Sequence, residues 1–284
     1  MARLLDDDAY RERVLPEVRS PETRRFLEHL SEIREGMREQ RVASTQNRLQ
    51  RFLGTPFIRT IVGQKRSGIV VRAAMDRRQI VLVDLSGIGI SNARFLGALL
   101  VLRYYQAALS REDAPAAGRV PHLLILDECS WFISPTVGEM ADQVHKFGLG
   151  LVLAGQRLGQ LHSRETRDAV FGNVGSVVCF RMGEADEARY LERHLNTPGL
   201  TAEEIGSLGR YEVYAQIARD GLRERAFWAR TLPALPVTGA GAQRVAEVVR
   251  HSRERYAQPQ ELVEREIAAR TEEERHVDPE IRRR

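Results

Sequence analysis

The spacing of apolar positions changes character three times along the 284 residues. Up to about residue 75 it is helical. Ser20-Pro21-Glu22-Thr23 reads as a helix start, since serine can cap the first turn and proline tolerates it. Phe26, Leu27, Leu30, Ile33 and Met37 then recur at helical spacing. A second amphipathic stretch runs from Ala43 to Leu53 and is broken by Gly54-Thr55-Pro56. From about residue 79, short apolar runs alternate with helical patterns. The runs are Ile80 to Val83, His122 to Leu126, Leu149 to Ala154 and Ser176 to Phe180. Between them lie helices expected over about Asn92 to Ser110, Thr136 to Phe147 and Arg164 to Gly172. This alternation predicts an α/β domain, with mostly parallel strands and helices on both faces. Residues 185–195 read as a further helix. Tyr211 to Ile217 and Arg225 to Ala229 then alternate apolar with polar residues, which predicts an antiparallel hairpin turning at Asp220-Gly221 near the C-terminal edge. Pro233, Pro236 and Gly239 mark a linker, and a charged, helix-prone tail follows. The expected organisation is a helical region over 1–75, a core over 76–235, and a linker with charged helical tail over 236–284.

Composition narrows the class. Hydrophobic residues make up 43% of the chain, enough for a sizeable core. The apolar runs are far shorter than a bilayer span. Leu4-Leu5-Asp6-Asp7-Asp8 is no secretory signal, so a cytoplasmic location is expected. A net charge of +4 permits contact with nucleic acid without demanding it. Arg48, Arg51, Arg59, Lys65 and Arg66 are the candidate DNA contacts, set against the plainer reading of a solvated helix face. Cys129 and Cys179 adjoin apolar runs and are expected to be small buried thiols rather than zinc ligands.

The chemistry concentrates where two apolar runs end. His122 to Leu126 runs directly into Asp127 and Glu128, and Leu149 to Ala154 runs into Gly155 and Gln156. A carboxylate at the end of a central strand can hold Mg²⁺, directly or through water, and a neighbouring carboxylate can polarise an attacking water. A glutamine amide beside them can bind water or phosphate. Arg181, after Phe180, could reach a phosphate in its own subunit or in a neighbouring one. Asp84 also ends an apolar run but lacks a second acid, and Asn173 reads as a turn residue. No G-x-x-x-x-G-K-[ST] phosphate loop occurs in the sequence. Gly63-Gln64-Lys65-Arg66-Ser67-Gly68 has the residues in the wrong order and follows no strand.

Taken together, these segments resemble the C-terminal part of the HerA–FtsK-like DNA-pumping ATPases. The likeness is greatest to the TraG/TraD coupling proteins of type IV secretion and conjugation, with their TraM-recognition region. It is carried by Ile80-Val81-Leu82-Val83-Asp84-Leu85-Ser86, Asn92-Ala93-Arg94-Phe95-Leu96-Gly97, Leu123 to Glu128, Lys146-Phe147-Gly148-Leu149-Gly150, Ala154-Gly155-Gln156, and Gly172-Asn173-Val174-Gly175-Ser176 leading to Phe180-Arg181. They span about residues 75–235. The resemblance implies a RecA-like motor core forming a ring, commonly a hexamer, around DNA or beside a secretion channel. ATP and Mg²⁺ would be the cofactors. Asp127 matches the Walker B aspartate, Glu128 the catalytic glutamate, Gln156 the sensor glutamine and Arg181 an arginine near the subunit boundary. His145 stands where many members carry arginine.

The family's phosphate loop lies on a strand N-terminal to everything matched here. Two functional classes follow. One is the Walker B and sensor half of a translocation or secretion motor. It would have a separate segment bearing the phosphate loop, secretion or conjugation channel proteins as partners, and a place at the inner membrane through that complex. The other is a catalytically inactive docking or structural module on a degenerate motor fold. A generic α/β domain with incidental carboxylates is the third reading.

Overall fold

The structure, a computed structural model, describes residues 4–5, 7–132, 135–161, 164–236 and 239–281. The chain divides into two compact units, one built from residues 1–68 and 244–284, the other from 69–243.

The first unit is helical. It contains α1 (Asp8–Val14), α2 (Pro21–Glu32), α3 (Glu35–Leu53), α4 (Pro56–Val62), most of α11 (Gly239–Tyr256) and α12 (Gln260–Ile281). Ser20 caps α2 as the sequence predicts, its hydroxyl accepting from the Thr23 amide at 3.1 Å. Leu27 and Leu30 turn inward and pack with Leu5 and Val42. Arg11 is fully buried yet well satisfied: it donates to the Leu4 and Leu5 carbonyls and to Ser31 and pairs with Asp8, which also receives Arg38. α12 lies against α4, where Arg270 donates to the Gly63 carbonyl. A Cβ at Gly63 would meet the Ile267 side chain at 2.6 Å, so glycine sets that approach.

The second unit is α/β. It runs α5 (Val71–Asp76), α6 (Ile90–Leu109), β1 (His122–Leu126), α7 (Pro135–Gln143), β2 (Leu149–Leu153), α8 (Arg164–Asn173), β3 (Val177–Cys179), α9 (Ala185–Leu195), α10 (Ala202–Ser207), β4 (Glu212–Gln216), β5 (Ala218–Arg219), β6 (Leu222–Arg223) and β7 (Phe227–Arg230). β1 and β2 are parallel, in a register that pairs His122 with Leu149 and Leu126 with Leu153. β3, β4 and β7 form an antiparallel sheet, and β5 with β6 extends the expected hairpin to its turn at Asp220-Gly221. One cluster of buried residues, from Met75 and Val101 through Leu126, Met140 and Leu149 to Cys179, Leu191 and Ile205, serves both sheets. Tyr104 of α6 stacks on His122, with ring centroids 5.8 Å apart.

Two strands depart from expectation. Ile80 to Val83 forms no ladder: Ile80 and Leu82 are 88% and 83% exposed. A β-branched run makes a strand only where a partner offers its backbone, and none does among the described residues. β3 pairs antiparallel with β4 instead of joining β1 and β2. Sequence periodicity shows that a strand exists but not which edge it joins.

Arg111 sets the entry to both parallel strands. Buried beneath α6, it donates to the Val120 carbonyl (2.9 Å) just before β1 and to the Phe147 carbonyl (3.1 Å) just before β2, and its Nε donates to Asp76 (3.0 Å). Two strand starts anchored on one guanidinium put two strand ends side by side.

Candidate functional site

With Leu126 opposite Leu153, the residues that follow each strand emerge together. The Ala154 amide donates to the Leu126 carbonyl (3.0 Å), and the Cys129 amide donates to the Ala154 carbonyl (2.8 Å). Between these bonds the chain turns sharply. Glu128 takes a left-handed conformation (φ 50°, ψ 46°), which costs a non-glycine residue about 1–2 kcal/mol. Its carbonyl accepts from Trp131, closing a tight 3₁₀ turn. Asp127 Oδ1 accepts the Glu128 amide at 3.0 Å.

This turn aims the Glu128 carboxylate at the second strand end. Gln156 Nε2 donates to Glu128 Oε1 at 2.5 Å, joining residues 28 positions apart in sequence. Gly155 permits the approach, since a Cβ there would stand 3.3 Å from the Cys129 sulfur. The loop carrying Gln156 is held beyond it as well. Ser130 Oγ donates to Gln160 Oε1 (3.3 Å), and Glu187 of α9 accepts the Gly159 amide (2.8 Å). Cys129 is buried behind the acids. Burial, helped by the negative Glu128, pushes its thiol pKa up, so it is an inert packing group. Cys179 is likewise buried and raised.

Asp127 is exposed and Glu128 half-buried. No cation pairs with either among the described residues. Nor does any group of three or more His, Cys, Asp and Glu side chains gather into a metal cage there. Two uncompensated carboxylates facing solvent suit a Mg²⁺ that keeps most of its waters and takes one or two protein oxygens.

No protein-family model matches the chain, and no curated protein sequence does. Among solved structures it is similar to the genome packaging NTPase B204 from Sulfolobus turreted icosahedral virus 2. In that protein's complex with AMPPCP, the likeness covers 48% of this chain and 63% of the other, at 18% identity and a TM-score of 0.36. In its complex with AMP it covers 60% and 74%, at 17% identity and a TM-score of 0.39. The chain thus spans 63% of the first of these neighbours. No residue role follows from a likeness this distant.

The other predicted residues are placed differently. Arg181 is exposed just past β3 and forms no ion pair among the described residues. His145 is exposed in the 3₁₀ turn before β2. Asp84 closes a turn on Ser86, whose hydroxyl and amide hold its carboxyl below the usual range. Arg48 lies exposed on α3, and Lys65 and Arg66 are exposed after α4. Arg51 also falls on α3, with its side chain outside the described part. All four belong to the helical unit.

Sequence reasoning missed two cations on the α/β unit. Arg94, near the start of α6, lies over the Trp131 ring at 5.6 Å, three residues past Glu128. Arg157 follows Gln156 and reaches Glu184 at 3.5 Å. The arginine beside Gln156 was visible in sequence; the Trp131 neighbour of Arg94 was not. Chemically, the site brings together an exposed carboxylate, Asp127, a half-buried one, Glu128, and an amide, Gln156, that donates to the second.

Proposed function

We propose that this chain is the Walker B and sensor half of an ATP-driven DNA-translocation or secretion motor of the HerA–FtsK-like, TraG/TraD type. The observation that carries the reading is the contact between Gln156 and Glu128, which couples the two strand ends. Asp127 would hold Mg²⁺, which would supply charge stabilisation to the β- and γ-phosphates of ATP. Glu128 accepts a proton from the attacking water. Gln156, bonded to Glu128, reports the state of that carboxylate to the loop tied to α9. Arg181 completes the site from the subunit boundary of a homo-oligomeric ring, hexameric by the family resemblance. A segment outside these 284 residues supplies the phosphate loop. No helix among the described residues is long and apolar enough to cross a membrane. In this reading the motor works in the cytoplasm, peripheral to the inner membrane through channel proteins, with DNA as a partner and Arg48, Arg51, Lys65 and Arg66 as its contacts.

The competing reading, a docking module on a degenerate motor fold, is favoured by one observation: the sequence contains no phosphate loop. ATP turnover by the complex that assembles on this chain separates the two. Turnover that DNA stimulates, and that Asp127→Asn lowers by about 100-fold or more, supports the motor. A wild-type complex that neither binds nor hydrolyses ATP supports the docking module.

A further inference from the structure

α11 stands clear of the fold along almost its whole length. From Ala242 to Arg255 every residue is exposed. Its C-terminal end is fixed to the helical unit, where a Cβ at Gly68 would stand 2.4 Å from the Tyr256 carbonyl oxygen. The helix is nonetheless two-sided. Val245, Val249, Ser252 and Tyr256 recur at i, i+4, i+7 and i+11 and share one face, with Val248 at its margin. Val245, Val248 and Val249 are 63%, 53% and 41% exposed. Most helices in proteins are held by a covered apolar face rather than by propensity alone. Among the described residues nothing covers this one.

The charges are sorted about that face. Arg244 and Arg255, with His251 between them, line one flank of the valines, and Arg253, four residues past Val249, lines the other. Glu247 and Glu254 fall on the side away from the valines, where Glu254 pairs with Arg250 at 3.0 Å. Arg244 and Arg253 form no ion pair among the described residues. A second copy laid on the valines, in either direction, would set arginine against arginine on both flanks. A protein groove would need a row of acids along each side. A bilayer surface with anionic headgroups answers both flanks at once. The valines enter the acyl boundary, the arginine stems run along it, and the guanidinium groups reach the headgroup phosphates. The two glutamates stay in water.

We infer that α11 is an interfacial helix that lies in the plane of an anionic membrane surface with its valine face inward. Three valines make a shallow apolar contact. Association is therefore reversible and driven largely by the attraction of the arginines to anionic headgroups. The inference is independent of the nucleotide site. It gives the chain a lipid contact of its own, rather than attachment through other proteins alone.

Vesicle co-sedimentation of the intact chain tests it. One set of vesicles is phosphatidylcholine alone, and the other is phosphatidylcholine mixed equally with phosphatidylglycerol. The chain should sediment with the mixed vesicles, stay in solution with the neutral ones, and be released by about 0.5 M salt. The pair Arg244→Gln, Arg253→Gln should weaken binding by about tenfold or more, and so should the pair Val245→Ser, Val249→Ser. All four side chains are exposed, so Tm should not fall. Glu247→Gln should not weaken binding, because that side faces water. No sedimentation with the mixed vesicles overturns the inference, and so does equal sedimentation with both kinds. Binding that the serine pair leaves intact overturns it too, since a basic surface elsewhere would then hold the lipid. Self-association lost in the serine pair gives the face to a second copy. DNA binding lost in the glutamine pair, by a chain that ignores the vesicles, gives the arginines to nucleic acid. Either result overturns the membrane assignment.

Discussion

Gln156 and Glu128 meet across the ends of two parallel strands, with the Gln156 amide donating to the Glu128 carboxylate at 2.5 Å. The contact is exposed, so it adds little to stability. Gln156→Ala is expected to change unfolding free energy by less than about 1 kcal/mol, while lowering ATP turnover in the assembled complex by at least about tenfold. Chemical denaturation and steady-state hydrolysis check the two halves separately.

Arg111 is the opposite case. It is buried and ties Asp76 to the Val120 and Phe147 carbonyls. Arg111→Met removes the cation and leaves the Val120 and Phe147 carbonyls without this donor, while Asp76 keeps Arg72. The expected cost is about 1–3 kcal/mol, read from denaturant midpoints. Arg111→Lys should recover only part of it, because an ammonium cannot reproduce the planar fork.

The two strand ends, one with its acid pair and one with its amide, were legible in sequence because each is a local event, an apolar run stopping at a polar residue. Ser20 as a cap, the hairpin at Asp220-Gly221 and the burial of both cysteines were legible for the same reason. What was not legible is pairing at a distance. Ile80 to Val83 has strand composition but no partner, and β3 chose β4 over β2. The packing of Ile267 against Gly63 joins residues some 200 apart, and no periodicity within either helix reports it. Arg94 was invisible as a neighbour of the site because the stacking that brings it to Trp131 depends on how α6 lies on the core.

Gly97 gives a further test of that packing. A Cβ at this position of α6 would fall 2.2 Å from the Phe132 ring, in the segment directly behind Glu128. Gly97→Ala gains helix propensity of about 1 kcal/mol, yet overpacking of this kind costs about 1–3 kcal/mol. A net loss in Tm is expected, together with slower hydrolysis in the assembled complex as Phe132 shifts. An alanine variant more stable than wild type would show that the ring yields freely.

Acid should weaken the α/β unit through two half-buried histidines. Burial, reinforced by the charge of Arg111, holds the His122 imidazole below its usual 6.5. Burial with Arg223 does the same for His194, which packs edge-on to Phe171. When pH drops below about 6.5, the unfolded chain takes up these protons while the folded chain does not, so stability falls until the folded values are passed. Tm should be lower at pH 5.5 than at pH 7.5, and the double variant His122→Gln, His194→Gln should flatten that slope.

The most direct measurement of the central claim is the fate of bound nucleotide in Glu128→Gln. The isosteric amide keeps the turn after β1 but cannot take a proton from water. Rapid mixing of the assembled complex with ATP and Mg²⁺, followed by quench and separation of the nucleotides, reads the outcome. The account predicts that the variant holds ATP uncleaved, with hydrolysis slowed by about 100-fold or more, while wild type converts it to ADP. Cleavage at the wild-type rate in Glu128→Gln would contradict it.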